Sequence, residues 1–239
     1  MAEPEPAELA EATEPAATRE PPYPAWLHRL VEAAGQVQGE QLSPFLPPDE
    51  GGRAAAVLIL FGEGPDGPDV LLIERAATLN SHAGQPAFPG GGADPGDDGL
   101  AGTALREAAE EVGVDPAGVR VLVALPALYI PISGYDVTPV LAWWHTPVAV
   151  TPLDPGEVAA VERVPISELV DPANRFRVSH PLGYVGPAFT VRGMLVWGFT
   201  GGLLDKVFEL AGWARPWDVT DVRPLPPDAF KRPPGKVDR

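Results

Sequence analysis

The 239-residue chain contains no cysteine, which excludes a disulfide framework, thiolate catalysis and cysteine-held zinc. Histidine is scarce as well. His28, His82, His145 and His180 are scattered, with no pair at metal-ligand spacing, so a histidine-ligated zinc is not expected. Positive charge is in short supply: 17 Lys and Arg against 33 Asp and Glu leave a net charge of −16. Nucleic acid and anionic membrane both select clustered basic residues, so neither is expected as a partner. No apolar run approaches the roughly 20 residues that a membrane-crossing helix needs. The first residues are acidic and proline-rich, unlike a secretory leader. These absences point to a cytoplasmic protein, and internal repeats are lacking too. What is present is 45% hydrophobic residues, ample for the core of one domain with extensions.

Residues 1–22 are Glu, Pro, Ala and Thr with almost no large apolar side chain. Such a segment cannot bury enough surface to offset ordering its backbone, and it reads as a disordered acidic tail. From Tyr23 the pattern changes. Trp26, Leu27, Leu30, Val31 and Ala34 recur at helical spacing between Pro24 and Gly35, which predicts an amphipathic helix within residues 23–45, packed on the domain or on a partner subunit. The main domain spans 46–213. Within it, 54–61, 70–73, 119–127, 137–144 and 189–197 read as strands, and 166–171 as a short helical turn. Residues 199–211 carry Leu203, Leu204, Val207, Phe208 and Leu210 at helical spacing ahead of Gly212, a packing helix. In the extension 214–239, prolines at 216, 224, 226, 227, 233 and 234 argue against regular structure.

Two local strings need care. Gly62 to Gly67 spells G-x-G-x-x-G, but a dinucleotide turn must open a helix, and Val70 to Ile73 reads as a strand. A hairpin loop is expected instead. Trp143 and Trp144 are neighbours in a strand and so face opposite sides; the outward ring could stack an adenine or fill a dimer interface.

The chemistry concentrates between Gly84 and Val114. A step of Ala87 and Phe88 runs through glycines 90 to 92 into a helix with Asp97 and Asp98 as cap candidates and Gly113 as C-cap;. Glu107, Glu110 and Glu111 stand at i, i+3 and i+4, so three carboxylates share one face. Each like-charge pair costs about 0.2–0.5 kcal/mol in isolation. Arg106 cannot neutralise all three. A divalent cation could, because magnesium takes hard oxygen ligands from carboxylates and substrate phosphates.

Arg106-Glu107-Ala108-Ala109-Glu110-Glu111-Val112-Gly113-Val114 resembles the second half of the Nudix hydrolase box at every specified position. The first half is elongated by one residue: counting back from Arg106 puts Asp98 at the outer acid, and anchoring on Pro89-Gly90-Gly91 puts Asp97 there. Upstream, Leu71 to Arg75, Leu79, His82, Gly84-Gln85 and Ala87 to Gly91 resemble the coenzyme A pyrophosphatase branch, although Ala76 stands where a serine is usual. Downstream, Pro187-Ala188-Phe189, Arg192-Gly193 and Trp197 to Thr200 are similar to that branch's last strand and final helix.

The resemblance implies an α/β/α sandwich with a mixed β-sheet. It implies Mg²⁺ or Mn²⁺ on Glu107, Glu110 and Glu111, with Arg106 orienting them. It implies hydrolysis of coenzyme A or acyl-CoA to 4′-phosphopantetheine, or its acyl form, and 3′,5′-ADP. Glu157 is the candidate for a further acid that holds metal or activates water. Arg75 and Arg192 are available to meet phosphates, His82 and Gln85 to face substrate, and Gly90 and Gly91 to leave room for it. Alternatives are another nucleoside diphosphate derivative such as ADP-ribose or NADH, or a nucleotide-binding module without catalysis. A homodimer is compatible with each.

Overall fold

The computed structural model describes residues 23–79, 81–181 and 183–230; the tail expected over 1–22 lies outside them. A 3-10 turn at Ala25–Leu27 leads into α1 (His28–Ala34), followed by the single turn α2 (Gly39–Leu42). Leu27, Leu30 and Ala34 are buried. Trp26 packs against Phe61, Trp143 and Trp213, with ring centroids 6.2, 5.9 and 5.5 Å apart. The amino-terminal helix thus docks on its own domain. Trp143 is half-buried and packs edge-on with Trp26, while Trp144 points the other way and is buried.

β1 (Arg53–Gly64) and β2 (Gly67–Arg75) form a hairpin that closes where Gly64 faces Gly67. The glycine string is therefore a strand turn, as expected. β3 (Pro86–Ala87) pairs with β2 and β4 (Gly90–Gly92) with β1. α3 (Gly99–Val112) stops at Gly113, whose φ of 76° is the left-handed cap that glycine adopts without strain;. The strand expected over 119–127 is two: β5 (Val119–Ala124) and β6 (Leu128–Ile130). Pro126 lies in the gap, where it has no N–H to give a ladder. The two pieces pair with opposite halves of β7 (Tyr135–Trp144). β1 and β7 run parallel from Arg53 against Tyr135 to Phe61 against Trp143. β8 (Val158–Pro165) pairs with β2 and completes an eight-stranded mixed sheet.

After α4 (Ile166–Leu169) comes a second, four-stranded sheet. Its strands are β9 (Arg175–Ser179), β10 (Val185–Val191), β11 (Met194–Val196) and, after α5 (Gly198–Ala211), β12 (Val222–Pro224). The single strand expected over 189–197 is thus a hairpin. Arg192 and Gly193 turn it with φ of 50° and 77°. The expectation of no regular structure after Arg215 also fails, because Val222 to Pro224 run parallel to β9 and Leu225 packs with Phe176, Val178 and Ala188. Prolines tolerate that position because an edge strand need not donate on both sides.

β1 explains the layering. Leu58 and Leu60 face one side, against Ala104, Ala108 and Val112 of α3. Ile59 and Phe61 face the other, against Leu30 of α1 and Leu203, Leu204, Val207 and Phe208 of α5. A strand covered on both faces must be apolar at successive positions rather than alternately. Helices on both sides of a mixed sheet make the expected α/β/α sandwich. Among the described residues no helix is long and apolar enough to cross a membrane.

Candidate active site

α3 lies under the β4 loop, and its three glutamates part company there. Glu107 and Glu111, one turn apart, are the two that meet the glycines. A Cβ on Gly91 would sit 2.5 Å from the Glu107 carboxyl carbon, so only glycine leaves that carboxylate its place. The Gly90 N–H donates to Glu111 Oε2 at 3.0 Å. Glu110 is mostly exposed and is held from outside by Arg106, 2.9 Å away.

Glu111 is only 5% exposed. Burial pushes its carboxyl up to about 7; Glu107 and Glu157 add to the rise, while the Gly90 N–H and the charge of Arg75 oppose it. Burial likewise raises Glu107 against the pull of Arg106, with Glu110 and Glu157 contributing. Glu157, exposed in the loop before β8, is close enough to add to the field at both helix carboxylates.

Arg106 ties this group together. Its Nε donates to Asp97 at 2.8 Å, one terminal nitrogen donates to the Gly92 carbonyl at 3.0 Å, and the other reaches Glu110 and Glu107 at 2.9 and 3.1 Å. Asp97 also accepts from Thr103 Oγ1 at 2.7 Å and from the Asp94 N–H at 2.9 Å. The Arg106 guanidinium, with these donors, holds the Asp97 carboxyl well below the usual range. Of the two candidate aspartates, Asp97 is the one that Arg106 holds. Asp98 is the helix N-cap and makes no side-chain cap bond.

Among the described residues, no three His, Cys, Asp or Glu side chains converge as a ready-made metal cage. The donors nonetheless fit a small hard cation. All are carboxylate oxygens, one is buried at the cost of its charge, and the backbone beside them lacks the Cβ that would fill the space;.

Arg75 ends β2 next to this group, where its charge is felt by Glu111 and its Nε is buried without a hydrogen-bond partner. His82 is in the left-handed region at φ 54°, and its Nδ1 lies 3.0 Å from Gln85 Oε1. Gln85 Nε2 in turn donates to the Ala229 carbonyl at 3.3 Å. Arg192 is not brought to this group. It pairs with Glu168 at 2.6 Å and Asp66 at 3.5 Å, beside the β1–β2 turn. That turn begins at Gly64, seven residues beyond Val57, the partner of Gly90, or about 23 Å of strand.

A cleft of about 590 Å³ opens beside the helix, lined by Glu107, Gly92, Asp94, Arg53 and Tyr135 among others. Arg53 and Tyr135 form no sequence motif. They meet because β1 and β7 start in register eighty-two residues apart, 135 minus 53.

The family model of the NUDIX domain matches residues 51–182, over half of the chain. Over 195 residues the chain is 37% identical to the uncharacterized Nudix hydrolase NudL of Citrobacter koseri, covering 76% of this chain and 91% of that one. The chain is a Nudix hydrolase. NudL of Cronobacter sakazakii is 40% identical to this Nudix hydrolase over 168 residues, covering 65% of this chain and 81% of that one. Among solved structures, the Nudix hydrolase RenU of M. smegmatis is 19% identical, with a TM-score of 0.49 over 74% of this chain and 99% of that one.

Proposed function

We propose that this hydrolase cleaves the diphosphate bond of coenzyme A or acyl-CoA, giving 4′-phosphopantetheine or its acyl form and 3′,5′-ADP from a soluble cytoplasmic pool. The run from His82 through Gly91 supports that substrate by its resemblance to the coenzyme A branch. It also leads from Arg75 into the glycine loop over Glu107 and Glu111. The observation that carries the chemistry is the gathering of Glu107, Glu111 and Glu157 into one field beneath that loop.

Anionic diphosphate oxygens repel an incoming hydroxide-like nucleophile and neutral water attacks weakly, so cations and an activated water are both required. Bound Mg²⁺ or Mn²⁺ supplies charge neutralisation and lowers the pKa of water; Glu107, Glu110 and Glu111 would hold it. Arg106 keeps two of these carboxylates in place through Asp97, and the Gly90 N–H fixes the third. Arg75 meets a phosphate oxygen. Glu157, exposed to solvent, takes the proton of the attacking water while the bond to the leaving phosphate breaks.

Incubation with Mg²⁺ or Mn²⁺ and a panel of coenzyme A, ADP-ribose, NADH and dGTP tests the reading. Release of 3′,5′-ADP from coenzyme A is expected. Cleavage of ADP-ribose or NADH with coenzyme A left intact overturns it.

A further inference from the structure

We propose that Arg53, held on the face of Tyr135, binds a phosphate group of the substrate in the cleft beside Glu107. The proposal rests on the reading of that cleft as the site of a diphosphate hydrolase.

The two residues open adjacent parallel strands and sit opposite each other in the register. The guanidinium carbon of Arg53 lies 4.1 Å from the Tyr135 ring centroid, and its terminal nitrogen donates to the Ser133 carbonyl at 3.0 Å. The head group is thus fixed from two directions. Its charge is not cancelled. Arg106, Arg163, Arg175, Arg192 and Arg223 each meet a carboxylate within ion-pair distance; among the described residues Arg53 meets none.

A guanidinium carries five N–H donors in a flat fork suited to phosphate oxygens, and the bond to Ser133 uses one. An arginine pinned in advance loses little further freedom when it takes a ligand. In a chain of net charge −16, an exposed cation on the cleft wall, placed by two contacts and without an ion-pair partner, is a local reversal of the repulsion that an anionic substrate meets. Asp94 and Glu107 line the same cleft, and Arg106 already binds Glu107. The alternative is that Arg53 merely staples the loop carrying Ser133.

Steady-state kinetics of Arg53→Ala and Arg53→Lys on coenzyme A and on dephospho-coenzyme A separate these roles, together with calorimetric binding of 3′,5′-ADP and 5′-AMP. The expected result for Arg53→Ala is a KM raised about ten- to hundredfold. Its kcat should stay within about twofold of the parent, with an unchanged unfolding midpoint and partial recovery in Arg53→Lys. Loss on both substrates assigns Arg53 to the scissile diphosphate. Loss confined to coenzyme A and 3′,5′-ADP assigns it to the ribose phosphate. An unchanged KM, or kcat and midpoint falling together, overturns the proposal. A parent enzyme that cleaves ADP-ribose but not coenzyme A removes the coenzyme A reading alone; the same KM and kcat comparison on ADP-ribose then decides Arg53.

Discussion

At the scale of single residues, burial and charge oppose each other most strongly at Glu111. Its carboxyl titrates near 4.5 when solvated and at about 7 in the fold. The folded state therefore prefers the protonated form. In metal-free protein this group favours folding below about pH 4.5, and that contribution is lost as pH rises through 7, a change of about 3 kcal/mol. Urea unfolding in chelator at pH 5 and at pH 7.5 should show the decline, and Glu111→Gln should flatten it. The same substitution should also sharply lower turnover, because it removes a carboxylate that would hold the metal. Wild-type rates in that variant would remove Glu111 from the site. The glutamates were legible in the sequence because helical spacing is a local property. Which aspartate Arg106 holds was not, because Asp97 and Asp98 differ only in where α3 begins. The place of Arg192 is hidden for a related reason: its left-handed turn carries the side chain to Glu168, and no spacing rule reports that.

At the scale of elements, the three-residue strand β4 shows how two adjacent glycines can serve different ends. A methyl at Gly91 meets the movable end of Glu107, whereas a methyl at Gly90 runs into the Ala56 carbonyl oxygen of the backbone. Gly91→Ala should leave the unfolding midpoint nearly unchanged and still cut activity by displacing a carboxylate. Gly90→Ala should lower stability by about 2 kcal/mol or more, read by denaturant unfolding. Helix α5 was predictable from its apolar spacing, α3 from its cap residues, and both from their closing glycines. The split of 119–127 was hidden because Val, Leu and Ala run unbroken to Pro126, and only the ladder with β7 reveals where pairing switches. The hairpin at Arg192-Gly193 was hidden in the same way.

On the scale of the whole molecule, the second sheet and the tail that joins it were beyond a local reading, since β12 owes its existence to β9 more than forty residues earlier (222 minus 177). Leu225 is buried among Phe176, Val178 and Ala188, and the Ala229 carbonyl anchors Gln85 in the loop ahead of the box. Leu225→Ala should cost about 2–3 kcal/mol in urea. Ending the chain after Thr220 should also raise KM, because Gln85 then loses its support. A truncated chain that keeps both its stability and its KM would make the tail dispensable.

The pairing of β1 with β7 has a bearing on synthesis. As the polypeptide leaves the ribosome, the glycine loop and its acidic helix are made well before the strand beginning at Tyr135, which must lie alongside Arg53. Closing so long a stretch is slow compared with winding a helix. The nascent carboxylates are therefore produced ahead of the scaffold that will aim them, and hydrolytic competence arrives late, as a property of the finished chain.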